Sequence, residues 1–198
     1  MKRLQQSMRT KRRVNKKGSE GMLHKIKSIV VIALLIIVSF ILQNTISVIT
    51  GDLMVTPNLL IILVCVFGYL TGSNEAMVIG FFCGLLVDSF SSDIIGLNSL
   101  LYLYVGFFSG SFHRLFYKNM VMLPLAIVAA GDFIYNFGYY IIRFMLRNKL
   151  DVGFYLFKII IPELVITVCI SLLVYRFIYK VYFAVLISEE QRSKVRFD

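Results

Sequence analysis

Tryptophan is absent from this 198-residue chain, and only three prolines and three cysteines occur. So few prolines leave room for long, uninterrupted helices. Cys65, Cys83 and Cys169 are odd in number, widely spaced and set in apolar runs. They form neither a disulfide framework nor a zinc site and read as small buried hydrophobes. Charge is scarce as well. Asp, Glu, Lys and Arg make up 16% of the residues, against roughly 25% in soluble domains. Hydrophobic residues reach 58%, with a mean hydropathy of +0.79. An ordinary soluble enzyme and a disordered chain are both excluded.

Catalytic signatures are missing too. There is no HExxH, no glycine-rich phosphate loop and no GxSxG. No His, Cys and Asp cluster has metal-ligand spacing, and no nucleophile stands beside a base and its orienting group. No connection is long enough to fold as a soluble catalytic domain. The expectation is a chain that is not an enzyme, with no catalytic residue, no metal and no cofactor; intramembrane catalysis stays as a residual reading. His24 and His113 lie far apart at charged boundaries and read as interfacial residues.

What is present is unevenly distributed. Residues 1–27 hold ten Lys or Arg and one Glu, a net of +9. Residues 176–198 hold five basic and three acidic residues, a net of +2. Between them six basic residues face seven acidic ones, a net of −1. A basic tail beside an apolar run reads as a cytoplasmic anchor on anionic lipid. Nucleic-acid binding is the alternative for such a cluster, but the tail has no aromatic residue to stack a base, so no nucleic acid is expected.

Ser28 to Gly51 contains no charged residue. A stretch of that length crosses a bilayer as a helix, whose backbone groups are bonded within the segment. A cleaved signal peptide would also begin basic and continue apolar. Here no small-x-small site closes the run, and a retained first helix is preferred. Further apolar runs follow at Leu59–Leu70 after Pro57-Asn58, at Ala76–Phe90 after Glu75, at Leu97–Phe112, at Met120–Ile142 and at Phe157–Tyr179. Proline suits a helix start, where its missing N–H goes unused. The fold class is therefore an all-α integral membrane protein, a six-helix bundle. Its expected parts are a basic cytoplasmic tail at 1–27, a transmembrane bundle at 28–187 and a cytoplasmic C-terminal tail at 188–198. Six spans put both termini on one side, and the basic tails make that side the cytoplasm. The 143–151 connection breaks the charge rule, because its three basic residues must face outward. It keeps four- and five-span arrangements open.

Small and polar residues form stripes within these runs. Gly80, Gly84 and Asp88 fall four apart and share one helix face. Glycines there let a second helix approach closely, and the carboxylate must face protein, water or headgroups. The stripe reads first as internal helix packing, second as a partner-binding face and third as an ion or substrate site. Gly106 and Gly110 form another pair one turn after Tyr102, and Gly68 and Gly72 a third. Asp132, Asn136 and Arg143 share a second polar face. Asp132 is the deepest charge in the chain and needs hydrogen bonds or an opposite charge. Asn136 is placed to donate its amide. Glu163, after Pro162, carries the same burden at the start of the last helix. An internal polar clasp is the leading reading of these residues; contact with a partner helix and an ion or proton pathway are the others.

From Pro57-Asn58-Leu59, through Gly80-Phe81-Phe82-Cys83-Gly84-Leu85-Leu86-Val87-Asp88, to Asp93-Ile94-Ile95-Gly96-Leu97-Asn98, Leu100 and Gly106, the chain resembles the rod-shape-determining MreD family. Length and layout extend the likeness across about 28–187. The resemblance implies a fold like the substrate-binding subunits of energy-coupling-factor transporters, and no catalytic activity. It implies a place in the bacterial cell membrane as a scaffold of the cell-elongation machinery, serving peptidoglycan synthesis and rod shape. It also implies a bond with MreC and, through that assembly, with RodA and a class B penicillin-binding protein. The competing expectation is a transporter subunit binding a small ligand. Internal polar groups too few to fix such a ligand disfavour it.

Overall fold

In the computed structural model the described residues are 2–50, 56–90, 95–115, 122–147, 153 and 156–181, and they are helical nearly throughout. Six helices follow in order: α1 (Lys2–Thr50), α2 (Leu59–Thr71), α3 (Ser73–Phe90), α4 (Leu97–Ser111), α5 (Met122–Arg147) and α6 (Ile161–Val181). A 3₁₀ turn, Phe112–Leu115, follows α4, and a π turn, Leu156–Ile160, precedes α6. Ile36–Tyr179 is one compact unit, while α1 up to Leu35 belongs to a second.

The six helices sit where the apolar runs placed them, but they differ in reach. The stretches Ile26–Thr50, Ser73–Phe90, Met122–Ile142 and Leu156–Val181 are long and apolar enough to cross a membrane. The 13 residues of α2 span only about 20 Å at 1.5 Å per residue, short of a hydrocarbon core of about 30 Å. Every residue from Leu59 to Leu70 is buried, against α3, α4 and α5. So α2 is the bundle's central helix. Its continuous apolar sequence, with no polar face, fits a helix surrounded by protein on all sides.

The other helices show large apolar side chains outward. Leu34 and Ile41 on α1, Phe82 on α3, Phe107 on α4, Phe133 on α5 and Leu173 on α6 are all exposed. A surface of this kind suits lipid and not water.

The sequence sets residues 1–27 apart from the first apolar helix as a basic tail. Instead α1 runs unbroken from Lys2 through that segment. Its Lys, Arg, Gln, Met and Leu are good helix formers, and no proline interrupts it. Nor is Pro57 the first residue of α2. Asn58 is the N-cap, and Pro57 precedes it. Residues 182–198, which include the expected tail 188–198, lie outside the described residues, as do Asp52, Asp93, Lys118 and the centre of the 143–151 connection.

The most extensive helix contact joins α3 to α4. These helices run antiparallel, and glycines from both sides make the seam. A β-carbon on Gly84 would strike the Ser99 backbone, and one on Gly80 the Tyr102 carbonyl. From the other side, Gly106 lies against the Ala76 carbonyl and Gly110 against the Ser73 backbone. The two glycine pairs thus belong to a single backbone-to-backbone contact. Gly68 of α2 meets Ser109 of α4, and Gly131 of α5 lies against Cys65 of α2 and Val105 of α4.

Candidate functional site

Helices that begin inside a bilayer must find acceptors for their first amides, because lipid offers none. Two helix starts solve this with side chains from elsewhere in the chain, and together they organise the buried polar groups of the bundle.

At the start of α4, Gly96 adopts φ +94° and has no side chain with which to cap the helix. Nothing lies within 4 Å of where its β-carbon would be, so glycine is needed there for conformation and not for space. Asp88, at the end of α3, supplies the cap. Its Oδ1 accepts from the Asn98 backbone at 3.1 Å and the Asn98 side-chain amide at 3.0 Å. Its Oδ2 accepts from the backbone amides of Gly96 at 3.1 Å and Ser99 at 3.0 Å, and from the Ser99 hydroxyl at 2.7 Å. A carboxylate facing exposed helix N–H groups also gains from the helix dipole. Only 4% of Asp88 is exposed, so these five donors take the place of solvent.

At the start of α2, Asn58 does the same work locally. Its Oδ1 accepts from the Ile61 amide at 3.3 Å and from the Tyr102 hydroxyl of α4 at 2.8 Å. The Asn58 amide donates to Thr167 Oγ1 of α6 at 3.3 Å, and the Leu60 amide to Gln43 Oε1 of α1 at 3.3 Å. One helix start therefore draws on side chains of three other helices. The two caps are also connected. Tyr135 of α5 donates to Asn98 Oδ1 at 2.9 Å, and its ring meets that of Tyr102 edge-on, with centroids 5.0 Å apart.

The second polar face differs. Asp132 is 0% exposed, and neither of its carboxylate oxygens has a hydrogen-bond partner. Asn136 was placed to donate to that carboxylate. Its Nδ2 donates to the Asp132 main-chain carbonyl at 3.2 Å instead, one helical turn back, and its side chain lies near Glu163. Glu163, in the first turn of α6, is half-buried and within electrostatic reach of Asp132. Asp132, Asn136 and Glu163 thus come together, while the Arg143 side chain lies outside the described residues.

The structure accordingly gathers Pro57, Gly80, Gly84, Asp88, Gly96, Gly106 and Gly110 around α2, α3 and α4, and the internal polar residues Asp132, Asn136 and Glu163 at α5 and α6. Sequence reasoning missed Asn58, Ser99, Tyr135 and Thr167 as functional groups. The one available signal was Asn58, a strong N-cap residue directly before an apolar run. Among the described residues no group of three or more His, Cys, Asp or Glu is arranged to hold a metal.

The sequence pattern of one family, described as rod shape-determining protein MreD, matches residues 24–185. The match covers most of the chain, which belongs to the MreD family. It is described as a rod shape-determining family and is not a known enzyme family. No curated protein and no solved structure matches the chain.

Proposed function

From that membership we propose that this protein is a non-catalytic membrane scaffold of the bacterial cell-elongation machinery. It binds an MreC-like protein and, through the assembly, serves RodA and a class B penicillin-binding protein in peptidoglycan synthesis and rod shape. The family match over 24–185 is the observation that carries this reading. The physical character of the bundle supports it. The polar groups of the α2–α4 core are bonded to one another, as Asp88 is to Asn98 and Ser99, and Tyr102 to Asn58. Groups committed in this way hold helices in register and are not offered to a small substrate. In this proposal both termini are cytoplasmic, the fold follows that of energy-coupling-factor substrate-binding subunits, and the basic residues before Ser28 lie against anionic lipid.

The test is co-purification of the full chain with an MreC-like protein from membranes. Stable recovery of the pair, with no small molecule retained by mass spectrometry, is expected. Failure to associate, together with a retained small molecule, transfers the assignment to a transporter subunit. Reporter fusions after residues 74, 116 and 198 should read cytoplasm, and those near 54, 94 and 148 the outside. A cytoplasmic site at 148 removes the six-span arrangement.

A further inference from the structure

We propose that Asp132 and Glu163, with Asn136 beside them, form a binding site for one monovalent cation of little bulk, a proton or a sodium ion. The inference goes beyond the scaffold reading and does not depend on it.

Asp132 carries the argument. Its side chain is wholly enclosed in the bundle, and both carboxylate oxygens lack a donor. An ionised carboxylate in that position is costly without a positive charge or hydrogen bonds. Among the described residues, the titratable groups that face it are Cys65 from α2, Tyr102 from α4 and Glu163 from α6, and none of these is a cation. Tyr102 already donates its hydroxyl proton to Asn58. The Asn136 side-chain amide donates to the Asp132 main-chain carbonyl and not to the carboxylate.

Two features narrow the ligand. A lysine or arginine from a partner helix has no route to a side chain with no exposed surface. Divalent metals prefer a fuller set of charged ligands, and no group of three metal-ligating side chains forms among the described residues. A single positive charge of small size remains. Glu163, half-buried in the first turn of α6, is the way in and the second ligand. The Asn136 amide can offer its oxygen to sodium, whereas a proton needs only the two carboxylates. In either form the occupied site removes the repulsion between two like charges facing each other across α5 and α6. Occupancy therefore governs how the first turn of α6, just after the π turn that touches α5, is held there.

The experiment uses the purified full chain in lipid nanodiscs. Its thermal midpoint is compared in sodium chloride and in choline chloride at equal ionic strength. Infrared spectra at neutral pH are recorded alongside for a protonated-carboxyl band. If the site holds sodium, the midpoint rises with sodium, Asp132→Asn abolishes the rise, and Glu163→Gln shifts the sodium dependence by on the order of tenfold, through loss of one charge. If it holds a proton, sodium has no effect and the infrared band is present in the wild type and lost in Asp132→Asn. Isotopic labelling of the aspartate carboxyls moves that band without any substitution and separates it from Glu163. Its persistence at pH well above the ordinary carboxyl range assigns it to the enclosed aspartate even if Asp132→Asn does not accumulate. An unprotonated Asp132 together with identical midpoints in the two salts overturns the proposal.

Discussion

Asp88 and Asp132 are both aspartates buried on helices of one bundle, and they stand at opposite extremes. Asp88 accepts five hydrogen bonds, three of them from backbone amides at the start of α4. Asp132 accepts none. The difference lies in what each faces. Asp88 faces a helix terminus, which has donors to spare. Asp132 faces Cys65 and Tyr102, both past the first turn of their helices, where amides are bonded to the preceding turn, and a second carboxylate, Glu163. Burial alone therefore does not say whether a charged residue builds the structure or serves a ligand; the supply of donors around it does.

The contrast can be broken first at the α3–α4 seam. Gly84→Leu drives a side chain into the Ser99 backbone, which has no rotamer by which to yield. It should prevent the folded chain from accumulating, and even Gly84→Ala should cost about 2–3 kcal/mol by overpacking. Thermal unfolding in detergent, with monodispersity checked by size exclusion, measures both. Wild-type stability in Gly84→Ala would mean that the two helices can separate freely.

Asp88→Leu comes next. It strips the acceptor from five donors, four of them buried, and should cost about 3–5 kcal/mol. Asp88→Asn is expected to be less damaging but not mild, at about 2 kcal/mol, because its new NH₂ group points at existing donors. Equal stability of Asp88→Asn and wild type would show that the carboxylate's second oxygen has no structural role.

Thr167→Val removes the acceptor of the buried Asn58 amide and should destabilise by about 1–2 kcal/mol. Hydrogen exchange at the start of α2 should rise with it. Tyr102→Phe, which leaves Asn58 still capping Ile61, should cost about 1 kcal/mol. The smallest change is expected at Asp132. Asp132→Asn should lie within about 1 kcal/mol of wild type, since no hydrogen bond to the carboxylate is lost. A loss there as large as that of Asp88→Leu would erase the distinction between the two aspartates.

Much of this was legible in the sequence, for reasons that can be named. The Gly80, Gly84 and Asp88 stripe follows from the four-residue spacing of a helix face. The depth of Asp132 follows from its distance to any polar boundary. The partners of the stripe were not legible, because an antiparallel seam pairs Gly84 with Ser99 through a turn whose geometry spacing does not specify. Asn136 was found, but not its acceptors. A side chain one turn along reaches back to a main-chain carbonyl as readily as to a neighbouring carboxylate. The Asn58–Thr167 bond joins residues 109 positions apart, and no local periodicity encodes it. The number of full spans was obscured because α2, at 13 residues, is as apolar as a membrane helix without being as long.

The enclosure of α2 bears on how the protein is made. A helix this short cannot settle stably in lipid by itself as it leaves the ribosome. The α3–α4 hairpin closes a short loop and relies on neighbouring contacts, so it can form early. Thr167, the acceptor for the amide at the head of α2, is synthesised more than a hundred residues later. Until it arrives, α2 has the hairpin beside it but an incomplete cap. The α2 cap is therefore completed only once α6 is made, and nascent chains truncated before α6 should stay open to proteolysis at the start of α2.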